Sequence, residues 1–134
     1  MTVGLLLITH DNIGKSLLEV GKAMIGEKSI HADAVTVTSN CNIEKTTQQA
    51  LRKRNKLDQG DGVLVLTDVY GATPCNIAEE ISNVDKTIVA SGVNLPMLIR
   101  VINYADLTLP KLAEKAISGG HDGILLNSEA DLNK

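Results

Sequence analysis

Short apolar runs alternate with longer amphipathic segments along most of the chain. Residues 3–8 and 63–66 are almost wholly apolar and too short for a core helix. Each run therefore predicts a strand that is buried on both faces. Weaker strand patterns lie at 31–38 and 87–90. Strands that alternate with helices in this way indicate right-handed crossovers and a mainly parallel sheet.

The segments between and after these strands predict five helices. They cover 12–25, 43–57 and 73–81, a segment that begins near Pro96, and a segment from Leu109 to Ile117. In the first helix, apolar residues spaced four, three and four apart predict the buried face. These residues are Ile13, Leu17, Val20 and Met24. Asn12 is the expected N-cap of this helix, and Gly26 is the expected stop.

Further local expectations concern the ends and faces of the later helices. The second helix is expected to turn Ile43, Thr47, Ala50 and Leu57 inward and to expose the basic stretch 52–54. Thr73 is the expected cap of the third helix, with Pro74 in its first position. Gly119 and Gly120 are expected to end the last helix. A short strand is then predicted over Gly123–Leu126, with a polar tail from about residue 127.

The whole pattern predicts one α/β domain over residues 1–134. We expect an open, flavodoxin-like sheet of about five strands with helices on both faces. Ligands bind beyond the carboxyl ends of the strands in such sheets. Chemistry is therefore expected in three strand-to-helix loops, which lie at 9–12, 68–76 and 91–96.

Composition narrows the classes of function. Lys and Arg number 13 against 16 Asp and Glu, a net charge of −3, which disfavours nucleic-acid binding. Two tyrosines are the only aromatic residues, so base stacking is not expected. Two cysteines do not predict a disulfide framework or a zinc site. The chain shows no secretory leader and no apolar run of the ~20 residues that span a bilayer, so a cytoplasmic protein without membrane insertion is expected.

His10 and Asp68 are the strongest candidates for chemistry, because each follows the end of a predicted strand. If the two strands are neighbours, the carboxylate can fix one imidazole nitrogen and leave the other as a nucleophile. The alternatives are a locally bonded loop histidine and a turn aspartate. A metal site built from His10, Asp11 and Asp68 would lack a fourth protein ligand. His31 and His121 are expected to be surface residues.

A nucleotide-binding loop is a different interpretation of the first of these loops. Residues 9–16 read THDNIGKS, which is a Walker A motif with Thr9 in place of its first glycine. A β-branched residue resists the backbone conformations that this glycine supplies. Lys15 and Ser16 also fall inside the predicted first helix. This interpretation therefore ranks below the histidine site.

Three stretches resemble the enzyme IIA proteins of the mannose-type sugar phosphotransferase system. The first is residues 8–10 with the amphipathic helix that follows. The second is residues 65–76, VLTDVYGATPCN, which are similar to the family's apolar-Asp-x-aromatic-Gly-Gly-Ser-Pro-x-Asn loop. The third is residues 91–98, SGVNLPML, which match its Gly-Val-Asn-x-Pro-Met segment. The resemblance runs from Val3 to about Leu126.

The resemblance implies a phosphoryl carrier. His10 would accept phosphate on Nε2 from the histidine phosphocarrier protein HPr and pass it to a IIB protein or domain. Asp68 would hold the ring, and no metal or other cofactor is implied. Candidate contacts with phosphate or partners are Thr9, Tyr70, Gly71, Thr73 and Asn94. The implied sheet has four parallel strands and an antiparallel edge strand, Gly123–Leu126, and the family usually forms homodimers.

Some residues depart from the family pattern. Asp11 stands where a relative has glycine, Tyr70 replaces a tryptophan, Ala72 replaces the second glycine, and Thr73 replaces a serine. Asp11 would either repel the phosphate or raise the basicity of His10. Two related roles stay open: the phosphoryl-carrier subunit of a dihydroxyacetone kinase, and a regulatory protein that reports phosphorylation state.

Overall fold

The computed structural model describes residues 2–26 and 30–128. Four strands lie in this part of the chain: β1 (Gly4–His10), β2 (Ala32–Val37), β3 (Val63–Thr67) and β4 (Thr87–Ser91). It also contains five helices: α1 (Ile13–Ile25), α2 (Ile43–Leu57), α3 (Thr73–Ile81), α4 (Leu95–Asn103) and α5 (Leu109–Asp122). No helix within the described ranges is long and apolar enough to cross a membrane.

The strands form one open parallel sheet in the order β2-β1-β3-β4. Ile8 pairs with Thr67 across β1 and β3, and His10 pairs with Val37 across β1 and β2. The carboxyl ends of β1, β2 and β3 therefore meet at one edge of the sheet. The predicted α/β class and parallel sheet are confirmed.

Alternate side chains of β1 and β3 build two apolar layers. Leu5 and Leu64 contribute to a layer with α1, α4 and α5, and Leu6 and Val65 contribute to a second layer with α2 and α3. Both central strands are thus buried on both faces, as their uninterrupted apolar sequences require.

The buried face of α1 differs from the prediction. Gly14, Leu18 and Gly21 are its buried residues, whereas Ile13, Val20 and Met24 are 46–61% exposed. A Cβ built on Gly14 would lie 3.0 Å from Thr9 Oγ1, and one built on Gly21 would lie 3.1 Å from a Leu98 methyl carbon. The helix packs by its glycines because they let its backbone approach the sheet and α4 closely. Ile13, Val20 and Met24 consequently face outward, and Leu17 is the one residue of the predicted stripe that packs, partly buried, against the core.

The expected end of α5 and the strand after it are also wrong. The helix continues through Gly119 and Gly120, which are buried. A Cβ on Gly119 would lie 2.7 Å from the Arg100 Cβ, so this glycine serves close packing against α4. Residues 123–128 form no strand, and the N–H of Ile124 instead donates to the carbonyl of His121. The sheet therefore lacks the antiparallel edge strand within the described residues.

Arg54 is the main departure in α2. The basic stretch was expected in solvent, but the Arg54 side chain is only 4% exposed. It donates to Thr87 Oγ1 at 2.8 Å and to the Asp85 carbonyl at 2.8 Å, and it pairs with Asp58 Oδ2 at 2.9 Å. This cation thus ties the end of α2 to the start of β4.

The predicted inward face of α2 is partly wrong. Ala50 and Leu57 are buried as expected, but Ile43 is 56% exposed and Thr46 is buried in place of Thr47. Ile43 is the first residue of the helix, and its side chain is open to solvent there.

Candidate functional site

His10 and Asp68 meet because their strands are neighbours in the sheet. His10 is the last residue of β1, and Asp68 follows the last residue of β3. The Nδ1 atom of His10 lies 2.8 Å from Asp68 Oδ2. The backbone N–H of His10 donates to the same oxygen at 3.1 Å. One carboxylate oxygen therefore holds both the ring and the backbone of His10.

The two partners differ in exposure. The His10 side chain is 45% exposed, whereas the Asp68 side chain is 9% exposed. Burial of Asp68 raises its pKa, but the hydrogen bonds from the His10 ring and backbone outweigh burial and hold the pKa below the ordinary aspartate value. Asp68 is therefore a carboxylate at neutral pH. When Nδ1 carries the proton, Asp68 accepts its hydrogen bond, and the Nε2 lone pair is left available.

Asp68 also carries an unused acceptor. Its Oδ1 atom is buried and has no hydrogen-bond partner among the described residues. Buried carboxylate oxygens are ordinarily paired, because loss of solvation without compensation is costly. This oxygen can still accept a hydrogen bond from a water molecule or another donor.

A cavity of about 320 Å³ adjoins His10. Its lining comes from the ends of β1 and β2, the loops that follow them, and the starts of α2 and α3. The lining residues are His10, Asp11, Val37, Thr38, Ser39, Cys41, Ile43 and Thr73. Ile43 and Thr73 are the first residues of α2 and α3, so two helix amino ends face this space. Hydroxyl groups and helix amino ends are suited to an anion.

Thr73 is the predicted contact residue that the structure brings next to His10. It is the first residue of α3 and not its cap, because Ala72 holds the N-cap position and Pro74 follows as the second helical residue. Its side chain lines the His10 cavity. A direct contact between Thr73 and phosphate stays a prediction.

Tyr70 and Gly71 lie on the exposed loop between β3 and α3. Tyr70 is 79% exposed and lines a different cavity, which runs along β4. Gly71 has a φ of +84° with open space around it, so backbone conformation and not crowding requires glycine there. Both residues are placed to meet a docking protein, and that role also stays a prediction.

Thr9 and Asn94 use their side chains inside the fold. Thr9 is fully buried, and its Oγ1 accepts the N–H of Gly14 at 2.7 Å. Asn94 Oδ1 accepts the N–H of Met97 at 2.9 Å, and its amide donates to the Gly120 carbonyl at 3.1 Å. The geometry favours indirect roles for both residues: Thr9 accepts an N–H group from the first turn of α1, and Asn94 is the N-cap of α4.

The Walker A interpretation does not fit the loop between β1 and α1. Only Asp11 and Asn12 separate the strand from the helix, whereas a phosphate-binding loop wraps its ligand with several backbone N–H groups. Lys15 and Ser16 lie in the first turn of α1 and are exposed.

The sequence reasoning missed the loop after β2. Thr38, Ser39 and Cys41 line the His10 cavity, yet this loop was not among the three that were expected to carry chemistry. The signal was available, because β2 also ends in a strand-to-helix loop and only needed to be placed beside β1.

A set of hydrogen bonds next to the Asp68 loop was also not predicted from the sequence. The Thr67 hydroxyl donates to Ser91 Oγ at 2.7 Å, and the N–H groups of Gly92 and Val93 both donate to the Thr67 carbonyl at 2.9 Å. These bonds fix the end of β3 to the end of β4, directly before Asp68.

Comparison with known proteins agrees with this architecture. A sequence model described as "PTS system fructose IIA component", of the mannose-type EIIA class, matches residues 4–117. The chain belongs to this EIIA family of the sugar phosphotransferase system. The resemblance found in the sequence motifs is thereby confirmed.

Individual relatives agree with the EIIA assignment. The "PTS system mannose-specific EIIAB component" of Escherichia coli strain K12 is 30% identical over 128 residues, covering 92% of this chain and 39% of the relative. This chain thus spans about two fifths of the curated relatives it matches.

Solved structures share the EIIA fold. The "Mannose/sorbose specific IIA subunit of phosphotransferase system" from Enterococcus faecalis has a TM-score of 0.84 at 24% identity and covers 96% of each chain. The "PTS IIA protein associated with the fucose utilization operon" from Streptococcus pneumoniae has a TM-score of 0.74 at 24% identity, covering 99% of this chain and 98% of that one.

Proposed function

We propose that this EIIA protein is a phosphoryl carrier of the sugar phosphotransferase system. It accepts phosphate on Nε2 of His10 from HPr, and it passes the phosphate to a IIB protein or domain, in the cytoplasm. The observation that carries the proposal is the 2.8 Å contact between His10 Nδ1 and the buried carboxylate of Asp68. This contact commits one ring nitrogen to a hydrogen bond and leaves the other free.

Transfer between two imidazoles needs no proton movement at His10. The Nε2 lone pair forms the new N–P bond as the N–P bond of phospho-HPr breaks, and that electron pair returns to the HPr ring. The His10 ring, with phosphate on Nε2 and a proton on Nδ1, is cationic. Asp68 stabilises this cation, and a loose transition state asks the protein mainly for positioning and charge. Delivery to IIB reverses the same bond changes.

The surroundings of His10 fit a transferred phosphoryl group. Thr38, Ser39 and Thr73 line the cavity, and the amino ends of α2 and α3 face it. Hydroxyl and backbone N–H donors can bind phosphoryl oxygens without a metal ion.

The decisive experiment is a labelling assay with phosphoenolpyruvate, enzyme I and HPr. Wild-type protein should acquire one acid-labile phosphate, and His10→Ala should acquire none. His31→Ala and His121→Ala are matched controls, because both histidines are exposed and lie away from the cavity. Full labelling of His10→Ala, or no labelling of folded wild-type protein, would reject the proposed carrier role.

We also propose that the protein forms a homodimer through the free edge of β4. Among the described residues β4 pairs only with β3. A cavity of about 500 Å³ lies beside it, lined by apolar residues that include Ile88 and Ile117 and, among charged residues, by Glu79 and Glu114. Ile124–Leu126 is 73–85% exposed, and an apolar segment of this kind with an open sheet edge favours association between copies.

The opposite sheet edge supports the choice of β4. At β2, Lys53 Nζ donates to the Ala34 carbonyl at 2.8 Å, and the Asp33 carboxylate accepts the N–H of Ala34 at 2.7 Å. These side chains occupy backbone groups and place charge on the edge, which discourages pairing.

Sedimentation at micromolar concentration tests the dimer. Wild-type protein should sediment as a dimer and Leu125→Asp as a monomer. Met24→Asp is the control, since it places the same charge on an exposed apolar residue of α1, and it should stay dimeric. A monomeric wild-type protein would contradict this assembly.

A further inference from the structure

Asp11 occupies an unusual position directly after the nucleophile. Its φ of +44° lies in the left-handed region, which residues other than glycine rarely adopt. Asp11 N–H donates to the Val37 carbonyl at 3.0 Å, so the strained backbone is held in place. The residue is exposed and lines the same cavity as His10. The backbone bond thereby holds an acidic residue at the wall of the space beside the phosphoryl acceptor.

No cation compensates this carboxylate within the part of the chain that the structure describes. The ion pairs found there involve Asp33, Asp58, Asp68 and Asp122, and not Asp11. The cavity lining likewise contains no lysine or arginine. Asp68 and Asp11 therefore flank His10 differently: Asp68 contacts the ring at Nδ1, whereas Asp11 adds a free negative charge to the cavity.

We propose that Asp11 lowers the stability of phosphorylated His10 and so sets the phosphoryl-transfer equilibrium of this protein toward delivery. This inference rests on the proposed carrier function. Asp68 stabilises the cationic ring of the phosphorylated state, and Asp11 repels the dianionic phosphoryl group that the ring carries. The repulsion disappears when the N–P bond breaks, the electron pair returns to Nε2, and the acceptor nitrogen takes the phosphoryl group. Asp11 thus favours the products of the outward step.

The size of the effect follows from the interaction of nearby charges at a protein surface. Such pairs change equilibrium constants by roughly 3- to 30-fold at low salt. The repulsion weakens in high salt, because the screening length falls to about 3 Å at 1 M. A structural role for Asp11 would show no such dependence on salt.

The test measures the distribution of phosphate between phospho-HPr and this protein after mixing, without enzyme I or phosphoenolpyruvate. Asp11→Asn keeps the size and tolerates the left-handed backbone, and Asp11→Gly removes the side chain and also suits that backbone. For both variants, the equilibrium constant for phosphoryl transfer from phospho-HPr should be about three- to thirtyfold larger than for wild type at low salt. At 1 M salt it should be less than about threefold larger. The control is Asp61→Asn, which makes the same charge change in the exposed turn before β3, and it should match wild type.

The outcomes separate this inference from the carrier function. Suppose that HPr phosphorylates His10 but the Asp11 variants distribute phosphate as wild type does, or their change in the transfer equilibrium is the same at 1 M salt. The proposed role of Asp11 is then wrong, while the carrier function stands. If HPr phosphorylates neither wild type nor the variants, the carrier function fails and the role of Asp11 fails with it.

Discussion

Asp58 and Asp68 lie at opposite ends of β3, and both have a pKa below the ordinary aspartate value. At the amino end, Asp58 Oδ1 accepts the N–H groups of Gly60 and Gly62, at 2.8 and 3.1 Å, while Oδ2 pairs with Arg54. At the carboxyl end, Asp68 Oδ2 accepts two hydrogen bonds from His10, and Oδ1 accepts none from the described residues.

The difference shows that a lowered aspartate pKa does not by itself indicate a functional site. Arg54 is 4% exposed and binds several acceptors, so the Asp58 cluster has little capacity left. The His10 side chain is 45% exposed, and its Nε2 has no partner among the described residues. Spare bonding capacity with access to solvent distinguishes the reactive end of the sheet from the structural end.

The largest expected effect is at the structural end. Arg54→Met should lower the free energy of unfolding by about 3–5 kcal/mol, because it leaves the buried partners of a cation unpaired. Urea unfolding measures the loss. Arg52→Met is the control, since Arg52 is exposed in the same basic stretch, and it should change stability by less than about 0.5 kcal/mol. Equal effects of the two substitutions would contradict the structural role of Arg54.

At the reactive end, the effect should fall on the rate of phosphoryl transfer. Asp68→Asn should slow phosphorylation by HPr about ten- to hundredfold, because the amide does not stabilise a cationic ring. The rate is measured from transfer reactions that are quenched at set times. Circular dichroism verifies that each variant is folded. Asp58→Asn should transfer phosphate at the wild-type rate. If Asp68→Asn also kept the wild-type rate, Asp68 would be only a turn residue.

The pH dependence of stability should follow the two lowered pKa values. A carboxylate whose pKa is lowered on folding stabilises the folded state above its unfolded pKa, near 3.8, and this stabilisation disappears as pH falls through the folded pKa. Asp58→Asn should therefore lose about 1–2 kcal/mol at neutral pH. The urea midpoints of wild type and variant should converge as pH falls from roughly 5 to 2. A constant difference over this range would contradict the ionised Asp58 cluster.

The smallest expected effect concerns the hydrogen bond that Thr9, next to the nucleophile, accepts from α1. Thr9→Val removes the oxygen that accepts the Gly14 N–H and should cost about 1 kcal/mol of stability. Thr9→Ser keeps that oxygen and should cost less. Both variants should still be phosphorylated at the wild-type rate, measured below their melting temperatures. A severe rate loss in Thr9→Ser would instead assign Thr9 a direct contact with the phosphoryl group.

The sequence was most informative where one local pattern determines the structure. The apolar run over 63–66 is buried on both faces, so only a central strand suits it, and the placement of His10 and Asp68 at strand ends follows from parallel topology. Sequence reasoning failed where close packing decides. Judged from sequence alone, Gly14 and Gly119 are residues that destabilise a helix. In the structure, both lie where a neighbouring residue packs closely against the helix. Arg54 resembled a surface charge because its acceptors lie about 30 residues away.

The most direct test of the account is the position of the N–P bond. Protein with ¹⁵N-labelled histidine is phosphorylated through HPr, and the ring nitrogens are observed by NMR together with phosphorus. We predict phosphorus coupled to Nε2 of His10, with Nδ1 still protonated and hydrogen-bonded to Asp68. Phosphorus coupled to Nδ1 of His10, or phosphate on His31 or His121, would contradict it.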